Sequence, residues 1–107
     1  MATGSWSEHE QGWAAVLATL RAEGWVVDLT SSAAPVQLDG VMPSGESFYF
    51  RARNQVVLLA VGGEDPSDLA LWESEEPWGK GEFDASYLPG DAGLVAIRTL
   101  HAEYLVR

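Results

Sequence analysis

The sequence predicts an α+β protein built as a two-layer sandwich. In this sandwich an antiparallel sheet of about four strands packs against an N-terminal and a C-terminal helix, with a short helix after the central hairpin. Apolar residues recur at helical spacing near both ends of the chain, and segments between them alternate apolar and polar residues. A length of 107 residues fits one domain, 1–107, in which we expect residues 1–5 to be flexible.

The first helix is defined by its start and stop signals. Two overlapping Ser-x-x-Glu boxes, beginning at Ser5 and Ser7, match the capping pattern of a helix start. Gly24 is a natural left-handed terminator, and Trp25 can fold back on the last turn. The sequence therefore predicts a helix over about 7–23. Its apolar stripe contains Trp6, Trp13, Val16, Leu17 and Leu20, and we expect Trp13 and Trp25 to be core residues.

Four segments after this helix have strand character. WVVDLT is rich in β-branched residues, and a weaker strand follows around 35–39. ESFYFRAR and QVVLLAV flank a break at Arg53-Asn54, which predicts a hairpin. In its first arm Phe48 and Phe50 share one face, while Tyr49 and Arg51 share the other. The second arm is apolar on both faces, which places it inside the sheet.

The chain after the hairpin contains many helix and strand breakers. Asp65-Pro66 resembles a helix start and predicts a short helix over about 66–73. The segment LWESEEPWGKGEF, Leu71 to Phe83, is predicted to be a loop because Pro77, Gly79 and Gly81 interrupt it. Residues 75–90 are compatible with a loop, a strand or a helical turn. An apolar row from Gly93 to Tyr104 predicts a closing helix over 91–106.

The net charge limits the classes of partner. The chain carries a formal charge of −10, and residues 64–91 contain nine acids against one lysine. This charge repels nucleic acids and anionic membranes and attracts basic proteins. The longest apolar stretch, 56–61, is far below the ~20 residues of a membrane span, so we expect a cytoplasmic protein.

Catalytic, metal and cofactor signatures are weak. There is no cysteine, no glycine-rich nucleotide motif and no spaced calcium ladder, so we expect no metal or cofactor. His9 and His101 are interpreted as ordinary surface and half-buried side chains. A paired-carboxylate site beside a tryptophan is a further hypothesis. Its candidate pairs are Asp65 with Asp68 and Glu75 with Glu76, and Trp72 or Trp78 would provide the apolar wall.

The acidic, tryptophan-containing segment is the preferred partner-binding candidate, because aromatic anchors and complementary charge are typical of binding sites. Its residues are Trp72, Glu73, Glu75, Glu76, Trp78, Glu82 and Asp84. The outward face of the hairpin is a secondary candidate, formed by Tyr49, Arg51 and Arg53. The alternative interpretation of this second set is that its arginines neutralise nearby acids.

Three functional hypotheses follow. The first is a non-catalytic acidic protein that docks a basic protein partner. The second is a self-associating structural or regulatory domain, for example a homodimer, and the third is a small enzyme or ligand-binding domain. The order of helix, antiparallel strands, short helix and closing helix resembles secretion-chaperone-like α+β sandwiches and some small bacterial immunity proteins. This resemblance concerns topology alone and implies an adaptor or an inhibitor.

Overall fold

The computed structural model describes the backbone of residues 2–107 and the side chains of residues 6–107. The expected flexibility of residues 1–5 stays a prediction. Five strands form one antiparallel sheet in the order β1-β2-β3-β4-β5. The elements are α1 (Ala2–Ala22), β1 (Val26–Ser32), β2 (Val36–Val41), β3 (Ser47–Arg53), β4 (Val56–Val61), β5 (Trp72–Pro77), a 3-10 helix (Ala85–Tyr87) and α2 (Gly90–Leu105).

The predicted α+β sandwich is confirmed, with five strands instead of about four. Both helices pack on one face of the sheet, where alternate strand residues such as Phe48, Phe50 and Leu59 are buried. Trp13 and Trp25 are core residues as predicted, with 0% and 5% of their surface exposed. We call the opposite side, which no helix covers, the helix-free face. It carries the strand residues Asp28, Asp39, Tyr49, Arg51, Leu58, Ala60, Glu73 and Glu75.

The predicted helix over 66–73 is wrong. Asp65 does begin a helical turn, because its Oδ1 accepts the Ser67 backbone N–H at 3.1 Å and its carbonyl accepts that of Leu69 at 2.9 Å. The turn ends there, and β5 follows at Trp72. Strand β4 explains this outcome: it lies between two strands, and its backbone groups on the side away from β3 pair with β5.

The predicted loop over Leu71 to Phe83 is therefore wrong for the residues of β5 and correct for those that follow. Beyond β5 the chain turns, and the 3-10 helix leads into α2. Asp84, a residue of this turn, stabilises it, because its carboxylate accepts the backbone N–H groups of Lys80 at 2.8 Å and Gly81 at 2.7 Å. The Ala85 N–H donates to the Asn54 carbonyl at 2.8 Å and so ties the turn to the β3–β4 hairpin.

Close packing of the two helices fixes the layer above the sheet. Gly93 of α2 lies directly against the indole of Trp13. The Trp13 Nε1–H donates to the Leu88 carbonyl at 2.9 Å in the buried interior. An Arg98–Glu23 ion pair with an N–O distance of 2.6 Å joins the helices further along at the surface. In the part of the chain that the structure describes, no helix is long and apolar enough to cross a membrane.

Candidate partner-binding surface

The alternation of β5 divides the predicted binding residues between the two faces of the sheet. Trp72 and Glu76 point towards the helices, where Trp72 packs against the main core. Glu73 and Glu75 are exposed on the helix-free face. Residues adjacent in the sequence of β5 therefore lie on opposite faces of the sheet, and Trp72 does not share a surface with Glu73 and Glu75.

The two tryptophans of the segment are partly buried, and both pack against the core. The Trp72 ring meets the Tyr104 ring edge-on, with 5.1 Å between centroids. The Trp78 backbone N–H donates to the Gln55 carbonyl at 2.7 Å, which extends the pairing of β5 with β4. Their primary contacts are therefore structural, and each leaves only part of its ring available to a partner.

Glu76 meets a carboxylate that the sequence does not single out, Glu103 of α2. The Ser74 hydroxyl donates to Glu103 Oε1 at 2.7 Å. A hydrogen bond between the two carboxyl groups, together with partial burial, raises the pKa of Glu76. The Ser74 hydroxyl and Glu76 together lower the pKa of Glu103, so the pair favours holding one proton between them.

Glu82 and Asp84 lie beyond the end of β5, at the turn that follows it. Glu82 is exposed there. The Asp84 carboxylate stabilises the turn, and the backbone N–H groups of Gly81 and Lys80 lower its pKa below the usual value. The sequence-predicted site therefore occupies three places: the helix side of β5, the helix-free face and this turn.

The helix-free face has an apolar centre. Tyr49, Leu58 and Ala60 are 8%, 9% and 1% exposed, and Ala70 packs on them from the segment that links β4 to β5. The Gln37 amide donates to the Tyr49 hydroxyl at 3.0 Å and orients this ring. The centre is thus ordered from within the chain, and the strand residues around it remain accessible.

Acids from several segments surround this centre. Asp28 of β1 and Asp39 of β2 lie directly opposite each other in the strand register. On β5, Glu73 lies opposite Ala60 and Glu75 opposite Leu58. Glu64 and Asp65 line a depression of about 220 Å³ together with Asp39 and Tyr49. Sequence reasoning missed Asp28 and Asp39, although their alternation with buried Val27 and Leu38 is visible in the sequence.

The secondary candidates, Tyr49, Arg51 and Arg53, belong to this same face. Arg51 lies opposite Leu58 of β4, and Leu58 in turn lies opposite Glu75 of β5. Among residues 6–107 the ion pairs are Arg21 with Asp28 and Arg98 with Glu23, so neither Arg51 nor Arg53 pairs with an acid. Six acids and two arginines therefore line the helix-free face, and its net charge is negative.

The histidines make structural contacts. His9 Nε2 lies 2.6 Å from the Ser32 carbonyl oxygen, and the ring stacks on Trp6. His101 packs edge-on against Trp25, with 4.9 Å between centroids, and burial lowers its pKa. No group of three or more metal-ligating side chains comes together in the described part of the chain.

An open groove of about 610 Å³ lies between α1 and the start of α2. Its walls are mostly apolar, and His9, Glu8 and Asp91 are among its lining residues. No hydrogen bond or ion pair links His9 to either acid within residues 6–107. The groove thus provides a histidine and carboxylates without the mutual contacts that a catalytic arrangement uses.

Comparison with known proteins adds no relative. No protein-family model, no curated protein and no solved structure matches this chain.

Proposed function

We propose that this chain is a non-catalytic binding protein that docks a basic protein partner on its helix-free face. The observation that carries this proposal is the arrangement of acids around an apolar centre. Asp28, Asp39, Glu73 and Glu75 come from three strands, and the β4–β5 connection adds Glu64 and Asp65. Both helices pack on the other side, so neither α1 nor α2 covers this face.

The pairing of Asp28 with Asp39 supports a binding role. Like charges directly opposite each other in an antiparallel sheet destabilise it. Arg21 reaches only one of the two, with 3.7 Å between its Nη2 and Asp28 Oδ1, and the Asp28 side chain remains 79% exposed. Lysine or arginine side chains of a partner would offset the like charges of this pair, and this supports the binding of a basic protein.

In the proposed mechanism, charge governs the rate of association and apolar contact governs the rate of dissociation. The long-range negative field raises the rate of association with a basic partner and weakens as salt increases. The exposed apolar side chains of this face, Val26, Val41 and Val56, then determine how slowly the complex dissociates. An inhibitor of the immunity type or a chaperone-like adaptor in the cytoplasm would use a surface of this kind.

The two other hypotheses receive less support. A homodimer through the helix-free face would place acids against acids, which opposes association. An enzyme would need a base and its partner in contact. Glu76 and Glu103 are in contact, but the helix layer covers one side of them and they lie outside the groove between α1 and α2.

A charge-matched pair of variants tests the proposal. Glu73→Gln with Glu75→Gln removes two charges from the helix-free face, and Glu8→Gln with Asp91→Asn removes two from the helix layer. Calorimetric titration with a lysine-rich peptide in low-salt buffer should show weaker binding for the first variant alone. Equal losses in both variants would mean that only the overall charge attracts the peptide. Absence of any binding to the wild type would refute the proposal.

A further inference from the structure

The two edges of the sheet differ in how their backbone groups are satisfied. At the β1 edge, the Arg21 guanidinium donates to the Val27 carbonyl at 2.7 Å, and His9 contacts the Ser32 carbonyl. Side chains of α1 thus occupy this edge. No hydrogen bond of residues 6–107 reaches the outer edge of β5. One edge of the sheet is therefore capped in part by side chains, and the other is open.

The strand register identifies the open groups. The β3–β4 hairpin continues with Gly62 N–H donating to the Ser47 carbonyl at 2.8 Å, and β5 continues with Trp78 N–H donating to the Gln55 carbonyl at 2.7 Å. Hydrogen-bonded positions alternate along antiparallel strands. Residues 72, 74 and 76 therefore direct their backbone groups to β4. The outward groups belong to Glu73, Glu75 and the carbonyl of Pro77.

We propose that β5 receives an extended segment of the basic partner as a sixth strand of the sheet. This inference rests on the proposed function and specifies how the partner binds. Main-chain hydrogen bonds to Glu73 and Glu75 would supply the pairing, as in other cases of strand addition. The partner's side chains would then fall alternately on the two faces of the sheet.

The two faces at this edge call for different side chains. On the helix-free side, Glu73 and Glu75 are exposed and favour lysine or arginine in the added strand. On the helix side, Trp72 is only partly buried and favours an apolar neighbour that covers the rest of its ring. The occupant is therefore a segment that alternates basic and apolar residues.

A second copy of this chain fits the same edge poorly. Pairing of β5 with another β5 would bring the exposed glutamates of two strands together and leave their repulsion uncompensated. Pro77 also ends the row of outward donors after Glu73 and Glu75, because proline has no N–H. Charge thus selects a basic partner, and the short edge limits its paired length.

The test compares two synthetic peptides of identical composition. One alternates lysine and valine, and the other carries its lysines in one block and its valines in another. The alternating peptide should bind more tightly, and its binding should slow the amide hydrogen exchange of Glu73 and Glu75. Neither amide has a hydrogen-bond partner among residues 6–107, so both should exchange quickly without peptide.

Substitutions at one position separate charge from backbone pairing. Glu75→Gln removes the charge alone, whereas Glu75→Pro removes the same charge together with the outward N–H. Pro77 already occupies an equivalent outward position in β5, so the strand accommodates proline there. The proline variant should bind the alternating peptide about fivefold more weakly than the glutamine variant, because it lacks one hydrogen bond.

The outcomes distinguish the two proposals. If both peptides bind the wild type equally, and Glu75→Pro and Glu75→Gln behave alike, strand addition is refuted while docking on the acidic face stands. If neither peptide binds in low-salt buffer, the proposed function itself fails. Protection of Glu73 and Glu75 by the alternating peptide alone, together with the proline effect, supports strand addition.

Discussion

Gly93→Ala tests the packing of α2 against Trp13 in the helix layer. A Cβ atom at residue 93 would lie 2.6 Å from Cζ2 of Trp13, far inside normal contact distance. Trp13 is fully buried, and its Nε1–H is held by the Leu88 carbonyl at 2.9 Å, so the ring cannot move without losing this bond. Relief of this clash should therefore displace the helix and separate the indole from its acceptor.

The expected magnitude combines three contributions. Overpacking costs about 1–3 kcal/mol, and an unsatisfied indole N–H costs about 1–3 kcal/mol. Replacing glycine by alanine inside a helix returns about 1 kcal/mol. We expect Gly93→Ala to lower the free energy of unfolding by about 3 kcal/mol, measured by urea denaturation, since these opposing contributions sum to that order.

Trp13→Phe provides the matched background, because phenylalanine lacks the outer ring atoms that the new Cβ would meet. In that background Gly93→Ala should be nearly neutral, so the double-mutant cycle should show a strong coupling between the two sites. Thr99→Ala on the exposed side of α2 controls for helix propensity. If Gly93→Ala leaves the wild-type protein as stable as before, the described contact between α2 and Trp13 is wrong.

Three further predictions concern other parts of the chain. Glu76→Gln should stabilise the protein above the raised pKa of Glu76, where the folded state otherwise holds an unfavourable second charge, and urea denaturation should show the gain vanishing at acidic pH. Asp84→Asn should destabilise it at neutral pH, and the difference should disappear as pH falls through the lowered pKa of Asp84; equal losses at all pH values would contradict this. Gly40→Ala should cost at least about 2 kcal/mol, because its Cβ would meet the Val26 backbone with φ at +151°, whereas Gly45→Ala has open space and should cost less in the same denaturation assay.

Local patterns predicted most of the fold. The apolar stripes of α1 and α2, and the arms of the β3–β4 hairpin, are visible at their own periods, so their buried faces were predicted correctly except at Trp6, which is 51% exposed. Gly24 ends α1 with φ at +99°, and the Trp25 N–H returns to the Leu20 carbonyl at 3.1 Å, as the terminator pattern indicated.

Strand β5 could not be predicted in the same way. Its sequence, WESEEP, is acidic and ends in proline, which are properties of loops and also of edge strands. It forms a strand because the backbone groups of β4 that point away from β3 need hydrogen-bond partners, and β5 supplies them. This pairing joins segments that are not adjacent in sequence. Once β5 is a strand, alternation separates Glu73 and Glu75 from Trp72 and Glu76.

The candidate surface was predicted in part. The sequence assigned Glu73 and Glu75 to one set and Tyr49, Arg51 and Arg53 to another, and the sheet places these five residues on one face. Asp28 and Asp39 were missed because they lie outside the acidic run and become neighbours only through the β1–β2 register. Their functional role, like that of the whole surface, stays a proposal.

Mapping where a basic segment binds tests most directly whether the helix-free face is the docking surface. Chemical-shift changes of the isotope-labelled protein, titrated with the peptide that alternates lysine and valine, would locate the contact residue by residue. We expect the largest changes at Tyr49, Arg51, Leu58, Glu73 and Glu75. Changes concentrated on α1 and α2, or spread evenly over all acidic residues, would contradict this expectation.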